Sequence, residues 1–129
     1  MYTVLIVDDQ PDDIELATIA LNAARPDIDV KSALSGTTAL ALLRDEGDRP
    51  DLILLDLKMH GMNGIEVLRE IRADACLKEF PVVVVTSSSL ESDRAKAIAA
   101  GASGYVQKPL SLDQFSKDLD SMLHRWLPN

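Results

Sequence analysis

The chain has 129 residues, which suits one compact domain and leaves no room for a second of ordinary size. Apolar residues make up 47% and charged residues 26%, and 13 Lys plus Arg against 21 Asp plus Glu give a formal charge of −8. That sign disfavours nucleic acid and anionic membrane surfaces as partners, and no apolar run approaches the ~20 residues of a bilayer span.

Met1-Tyr2-Thr3 runs straight into an apolar segment without the basic region of a signal peptide, so the chain reads as soluble and cytoplasmic. That segment, Thr3 to Val7 (T-V-L-I-V), predicts a first strand that stops at Asp8-Asp9. Pro11 followed by Asp12, Asp13 and Glu15 opens a helix, because proline is tolerated at the first position and acids face the positive end of the dipole. Ile14, Ala17, Leu21 and Ala24 form its apolar stripe. Val30 to Leu34 is mixed in character and fits an edge strand. Thr37 to Arg44 predicts a second helix carrying Leu40 and Leu43, ended by Gly47.

Leu52 to Leu55 (L-I-L-L) predicts a third strand, stopping at Asp56. Ile65, Leu68 and Ile71 mark a third helix, with Val67 beside the stripe. Val82 to Val85 predicts a fourth strand, stopping at Thr86. Cys76, in the loop before it, is the single cysteine, which rules out an internal disulfide and a cysteine-based structural zinc site. Ser89 to Ala100 is an alanine-rich helix ended by Gly101. Gly104 to Gln107, ahead of Lys108-Pro109, is the fifth strand. The last helix starts at a Ser111 cap and sets Leu112, Phe115, Leu119, Met122 and Trp126 at helical spacing. Its stripe reads as core packing, and the extra apolar residues Leu123 and Leu127 leave a dimer or partner surface as a second reading.

Strands that are apolar throughout look buried on both faces, as in a parallel sheet covered by helices. Alternating strands and helices then predict a doubly wound α/β fold, with five strands in the flavodoxin-like order 2-1-3-4-5. Ligands of such sheets bind beyond the carboxyl ends of the strands. Those ends carry Asp8, Asp9, Asp56, Thr86, Ser87 and Lys108. The first and third strands are neighbours in this order, which brings Asp9 and Asp56 together. Two carboxylates ~4 Å apart repel by about 4 kcal/mol at an effective dielectric of 20, so the cluster calls for a proton or a hard divalent cation. Mg²⁺ with oxygen ligands fits best, and the lack of histidine at the strand ends argues against zinc. A carboxylate beside a metal, a lysine and a hydroxyl is suited to accept a phosphoryl group. Asp56 is the central candidate, with Asp8 and Asp9 holding metal from the side.

D-D-Q-P-D-D after an apolar strand, L-I-L-L-D-L-K-M, G-M-N-G-I-E-V-L, V-V-V-V-T-S and A-I-A-A-G-A-S-G-Y-V-Q-K-P together resemble the CheY-like receiver domain of two-component response regulators. The resemblance covers nearly the whole chain. It implies that Asp56 takes phosphate from a histidine kinase or a histidine phosphotransfer protein. It implies that Asp9 and Asp56 bind Mg²⁺ with the backbone carbonyl of Lys58, while Asp8 helps hold the metal's waters. It implies that Thr86 and Lys108 grip the phosphoryl group, with Ser87 beside Thr86. Tyr105 matches the aromatic residue that turns inward when the threonine moves, and Pro109 the proline whose preceding peptide is commonly cis. The protein is then a phosphoacceptor, an enzyme only toward its own phosphorylation and dephosphorylation. Because the chain ends just after the last helix, the expectation is a stand-alone receiver over residues 1–129. It would signal to a downstream protein, or form a homodimer, through the face of the fourth helix, fifth strand and fifth helix. A-D-A-C-L-K-E-F-P-V-V-V-V-T-S-S-S and the terminal R-W-L also resemble single-domain regulators that work with phytochrome-type kinases.

Two residues depart from the family pattern: His60 stands where proline is usual, and Asn63 where aspartate is common. His60 and His124 read as solvent-facing. Lys58 reads as able to lie over the phosphoryl group. Each motif has an ordinary reading as well: Asp8-Asp9 as a turn and cap, Thr86 to Ser89 as a loop, Lys108-Pro109 as a turn, Tyr105 as a packing residue. Their convergence on one sheet edge is what favours a site. Three rival classes share parts of the pattern. A phosphate-independent pseudo-receiver would lack need of the intact acid set. A flavodoxin-type carrier would need phosphate donors where Asp8-Asp9 stand, and an aspartate phosphatase usually has a second acid at the position of Lys58.

Overall fold

Strands that are apolar on both faces need cover on both sides, and the helices divide to supply it. The computed structural model describes residues 2–45, 49–108 and 111–128. Its strands are β1 (Thr3–Val7), β2 (Asp29–Ala33), β3 (Leu52–Leu55), β4 (Val82–Thr86) and β5 (Gly104–Gln107). Its helices are α1 (Pro11–Ala24), α2 (Gly36–Arg44), α3 (Gly64–Ala73), α4 (Glu91–Ala99) and α5 (Leu112–Trp126). All strand pairs are parallel, in the order β2-β1-β3-β4-β5, which is the flavodoxin-like arrangement expected.

Alternate residues of each strand serve opposite layers. Val4, Ile6, Leu52, Leu54, Val83 and Val85 pack with Ala17 and Leu21 of α1 and with Phe115, Leu119 and Leu123 of α5. Leu5, Val7, Ile53, Leu55, Val82 and Val84 pack with Leu40 and Leu43 of α2, Val67, Leu68 and Ile71 of α3, and Ala97 of α4. Each fully buried Leu, Ile or Phe contributes about 1.5–3 kcal/mol relative to exposure, so these layers hold the strand ends in fixed register.

Helix starts follow local chemistry. Ser35 Oγ accepts the Thr38 N–H at 3.1 Å, and Ser111 Oγ accepts that of Gln114 at 3.2 Å. Asn63, the residue in place of the common aspartate, forms a reciprocal capping box with Glu66. At the far end of the sheet Arg72 donates to the carbonyls of Gly101, Lys78 and Phe80 and to Ser103 Oγ, tying the α3–β4 and α4–β5 loops together.

The structure corrects several boundaries. β2 ends at Ala33, and Leu34 is 54% exposed, as a sheet edge permits. α4 begins at Glu91 rather than Ser89, because Ser88 Oγ accepts the Leu90 N–H and so shapes a turn ahead of the helix. In α3 the buried residues are Val67, Leu68 and Ile71 with Ile65 half-buried, since a strict spacing of three drifts off a 3.6-residue helix. In α5 the buried line is Phe115, Leu119 and Leu123, continued by Leu127, while Leu112 is exposed and Met122 and Trp126 are half-buried. Leu123 and Leu127 therefore belong to the core and offer no dimer surface. Gly47 and Pro109, which the sequence marks as a helix stop and a family proline, lie outside the described residues.

Candidate functional site

Parallel register sets the site. The Asp56 N–H donates to the Val7 carbonyl at 3.0 Å and the Asp8 N–H to the Ala33 carbonyl at 3.1 Å, so β1 and β3 deliver their terminal acids side by side. Asp8, Asp9 and Asp56 can each offer an oxygen such that all three lie within 4.8 Å of one another. β4 and β5 bring the remaining groups: Lys108 is anchored by its N–H to the Thr86 carbonyl at 2.7 Å.

Gly64 opens the space for this arrangement. A Cβ there would fall 2.3 Å from the Asp56 carbonyl oxygen and 2.7 Å from Leu57 Cα, so α3 can start against the acidic loop only with glycine.

The three acids have different surroundings. Asp8 is 3% exposed; its Oδ1 accepts the Gln10 N–H at 3.0 Å, and its Oδ2 pairs with Lys108 Nζ at 2.9 Å. Asp56 is 7% exposed above an apolar floor of Ile6, Ala17, Leu54 and Val85. That burial pushes its carboxyl above the ordinary range, an effect the Lys108 charge opposes and the Asp8 charge reinforces. Asp9 Oδ2 accepts both the His60 backbone N–H at 2.8 Å and a contact from His60 Nδ1 at 2.7 Å. These bonds, the backbone one foremost, hold the Asp9 carboxyl below its usual value. Its other oxygen, Oδ1, is buried with no hydrogen-bond partner among the described residues.

Lys108 Nζ lies 3.2 Å from Asp13 and 4.0 Å from Asp56 in addition to its contact with Asp8. Burial alone would lower its pKa, but the Asp8 hydrogen bond and the charges of Asp56, Asp8 and Asp13 together raise it above the ordinary lysine value. The amine is thus held charged.

Thr86 is fully buried, and its Oγ1 accepts the Ser88 N–H at 3.3 Å. The Tyr105 hydroxyl donates to the Ser88 carbonyl at 3.2 Å, so Ser88 links the two residues. Burial raises the Tyr105 phenol above its ordinary pKa. Ser87 is exposed beside Thr86. Lys58 does not lie over Asp56: its amine is 3.2 Å from Asp93 Oδ2, which also accepts Ser88 Oγ–H at 2.6 Å, while its N–H faces Asp56 Oδ1 at 3.4 Å.

Two participants escape sequence reading. Asp13 reads as a helix-opening acid, yet it shares Lys108 with Asp8; its place within the first turn of α1, at the ligand end of the sheet, is the available signal. His60 reads as a partnerless surface residue, and its side chain is 94% exposed, but it grips Asp9 from a loop no periodicity describes.

Asp8, Asp13 and Asp56 share the one ammonium of Lys108, and Asp9 adds a further carboxyl to the cluster, which leaves an excess of negative charge. Buried Asp9 Oδ1 has no hydrogen-bond partner among the described residues, and oxygen-only donors suit a hard divalent cation. Asp8, Asp9 and Asp56 therefore fit a metal.

The response regulator receiver domain family matches residues 4–120. Response regulator PleD of Caulobacter vibrioides is 33% identical over 132 residues, covering 95% of this chain but only 28% of that protein's length. Among solved structures, the phosphorylated cyanobacterial phytochrome response regulator RcpA aligns with a TM-score of 0.89 at 33% identity, over 98% of this chain and 94% of that one. The Mn²⁺-bound form of response regulator Rcp1 aligns with a TM-score of 0.86 at 31% identity, over 100% of this chain and 96% of that one. With a parallel 2-1-3-4-5 sheet and an acidic cluster at its ligand edge, the chain belongs to the response regulator receiver domain family.

Proposed function

We propose that Asp56 accepts a phosphoryl group from a histidine kinase or histidine phosphotransfer protein, and that the protein signals by phosphorylation-dependent binding. The observation that carries this reading is a buried Asp56 carboxylate facing Lys108 at 4.0 Å, within the trio that includes Asp8 and Asp9. Asp8, Asp9, Asp56 and the backbone carbonyl of Lys58 would hold Mg²⁺. When bound, the ion neutralises the carboxylates and the phosphoryl oxygens.

The chain's own residues do the rest. An Asp56 oxygen forms the bond to phosphorus as the donor's P–N bond breaks, and the leaving imidazole takes up a proton from solvent. Lys108 supplies a fixed positive charge to the incoming phosphoryl oxygens. Thr86 turns its hydroxyl from the Ser88 N–H toward the phosphoryl group, with Ser87 beside it. That movement loosens the Ser88 turn on which the Tyr105 hydroxyl rests, and Tyr105 moves inward. The face of α4, β5 and α5 then changes its affinity for a protein target or a second copy. Among the described residues of these elements, Leu90 and Ile98 around α4 are 60% and 56% exposed and Leu112 of α5 is 40% exposed.

The phytochrome-associated neighbours support a phytochrome-type kinase as the donor. Among the described residues no helix is long and apolar enough to cross a membrane, and the proposed site of action is the cytoplasm.

The test is phosphotransfer from candidate histidine kinases, and labelling by a small acyl phosphate with Mg²⁺, for wild type and Asp56→Asn. Wild type should be labelled and the variant should not. Equal labelling of both would remove Asp56 as acceptor, and no labelling of either would leave a phosphate-independent interaction module.

A further inference from the structure

We propose that His60 is a positioning residue for the metal site, fixing Asp9 through one oxygen so that the other is presented to the cation. The inference rests on reading the acidic trio as a divalent-cation site. Both His60 donors converge on the same atom: the backbone N–H reaches Asp9 Oδ2 at 2.8 Å and the ring Nδ1 reaches it at 2.7 Å. An ionised carboxylate only accepts, so the ring nitrogen facing it carries hydrogen. With Oδ2 doubly engaged, Asp9 Oδ1 is left buried and, among the described residues, unpartnered.

The division of labour within the trio points the same way. Lys108 lies against Asp8 and within 4.0 Å of Asp56, while His60 serves Asp9. A carboxylate's terminal torsion is broad and two-fold, so one anchored oxygen is what selects an orientation for the other. Hydrogen bonds that orient metal-ligating groups commonly change metal affinity by 10–100-fold. The His60 side chain is 94% exposed, which weakens its bond through competition with water and leaves the backbone N–H as a second tether. The expected effect of the ring alone is therefore smaller, about 3–10-fold. Because the ring packs against nothing in the core, its loss should leave folding intact.

Isothermal titration of the full chain with MgCl₂ at neutral pH tests this with wild type, His60→Ala and His60→Asn. His60→Ala should raise the Mg²⁺ Kd about 3–10-fold. His60→Asn, whose short amide places an N–H donor near the position of Nδ1, should recover most of the loss. Melting temperatures without metal should agree among the three proteins. Unchanged or tighter Mg²⁺ binding in His60→Ala overturns the proposal while leaving the metal site standing, and so does an Asn variant no better than Ala. Failure of wild type to bind Mg²⁺ overturns the proposal and the metal-site reading together.

Discussion

Lys108 and Asp56 face each other across 4.0 Å, beyond hydrogen-bond reach, because Asp8 at 2.9 Å and Asp13 at 3.2 Å hold the lysine amine on their side. Asp13 thus competes for the cation proposed to meet the phosphoryl group, and adds negative charge where a phosphate must arrive. Its carboxylate is 41% exposed, so the interaction is screened and is worth about 0.5–1 kcal/mol. Asp13→Ala should raise the rate of acyl-phosphate labelling about two- to fivefold. A rate equal to or below wild type, measured with excess Mg²⁺, would show that Asp13 is a bystander to Lys108.

The elevated Asp56 pKa makes a stability prediction whose sign is fixed. Burial is its main cause, so the folded chain holds the Asp56 proton more tightly than the unfolded chain does. Stability from this residue is greatest below the ordinary value of 3.8 and falls as pH rises from there through the higher folded pKa. In metal-free buffer Asp56 therefore destabilises the fold increasingly as pH rises toward neutrality. Asp56→Asn should melt higher than wild type there, by a few degrees, and the gain should vanish in acid. Thermal melts of both proteins across pH in chelator would decide it, and a variant that melts no higher at neutral pH would count against the burial argument.

The same contrast shows what the sequence could and could not disclose. Strand positions were legible because V-V-V-V and L-I-L-L leave no polar face, and topology then placed Asp9 next to Asp56 without any side-chain information. The membership of the acidic trio followed from strand ends alone. Loop geometry was not legible: the turn that returns His60 to Asp9 contains Gly61 at φ +72°, and no apolar spacing records it. Lys58 is a similar case. Its separation from Asp56 puts an amine within reach of a phosphoryl group there, and only the fold shows that Asp93, from an element distant in sequence, pairs with it. In α5, Leu123 read as surplus because periodicity admits several stripes, and only the packed sheet selects the line through Phe115, Leu119 and Leu123.

Lys58 and Asp93 yield a prediction about the phosphorylated form. Asp93 Oδ2 receives both the Lys58 amine at 3.2 Å and the Ser88 hydroxyl at 2.6 Å, and the Ser88 hydrogen bond is the foremost cause of its lowered pKa. Freed from Asp93, the Lys58 amine can swing over Asp56. Asp93→Ala should therefore change the aspartyl-phosphate lifetime about twofold or more, and Lys58→Ala should abolish its sensitivity to Asp93. Decay rates of labelled single and double variants check this. Additive effects would mean that the two residues act independently, and unchanged rates in Lys58→Ala would remove the lysine from the chemistry.

Gly64 offers a test of how tightly the acceptor loop is built. A methyl group there would meet the Asp56 carbonyl at 2.3 Å and Leu57 Cα at 2.7 Å, and both are backbone atoms that cannot rotate away. Relief requires α3 to move off the sheet edge, straining the Gly64 N–H to Leu57 carbonyl bond of 3.1 Å and the half-buried contacts of Ile65. Overpacking of this kind costs about 1–3 kcal/mol. Gly64→Ala should lower the urea midpoint accordingly, with an unchanged slope, because the amount of surface exposed on unfolding stays the same. The displaced Asp56 backbone should also slow acyl-phosphate labelling by more than the fraction of unfolded protein can explain. Full labelling speed together with reduced stability would mean that the helix yields and the acceptor does not, placing the rigidity of the site in β3 rather than in the loop that follows it.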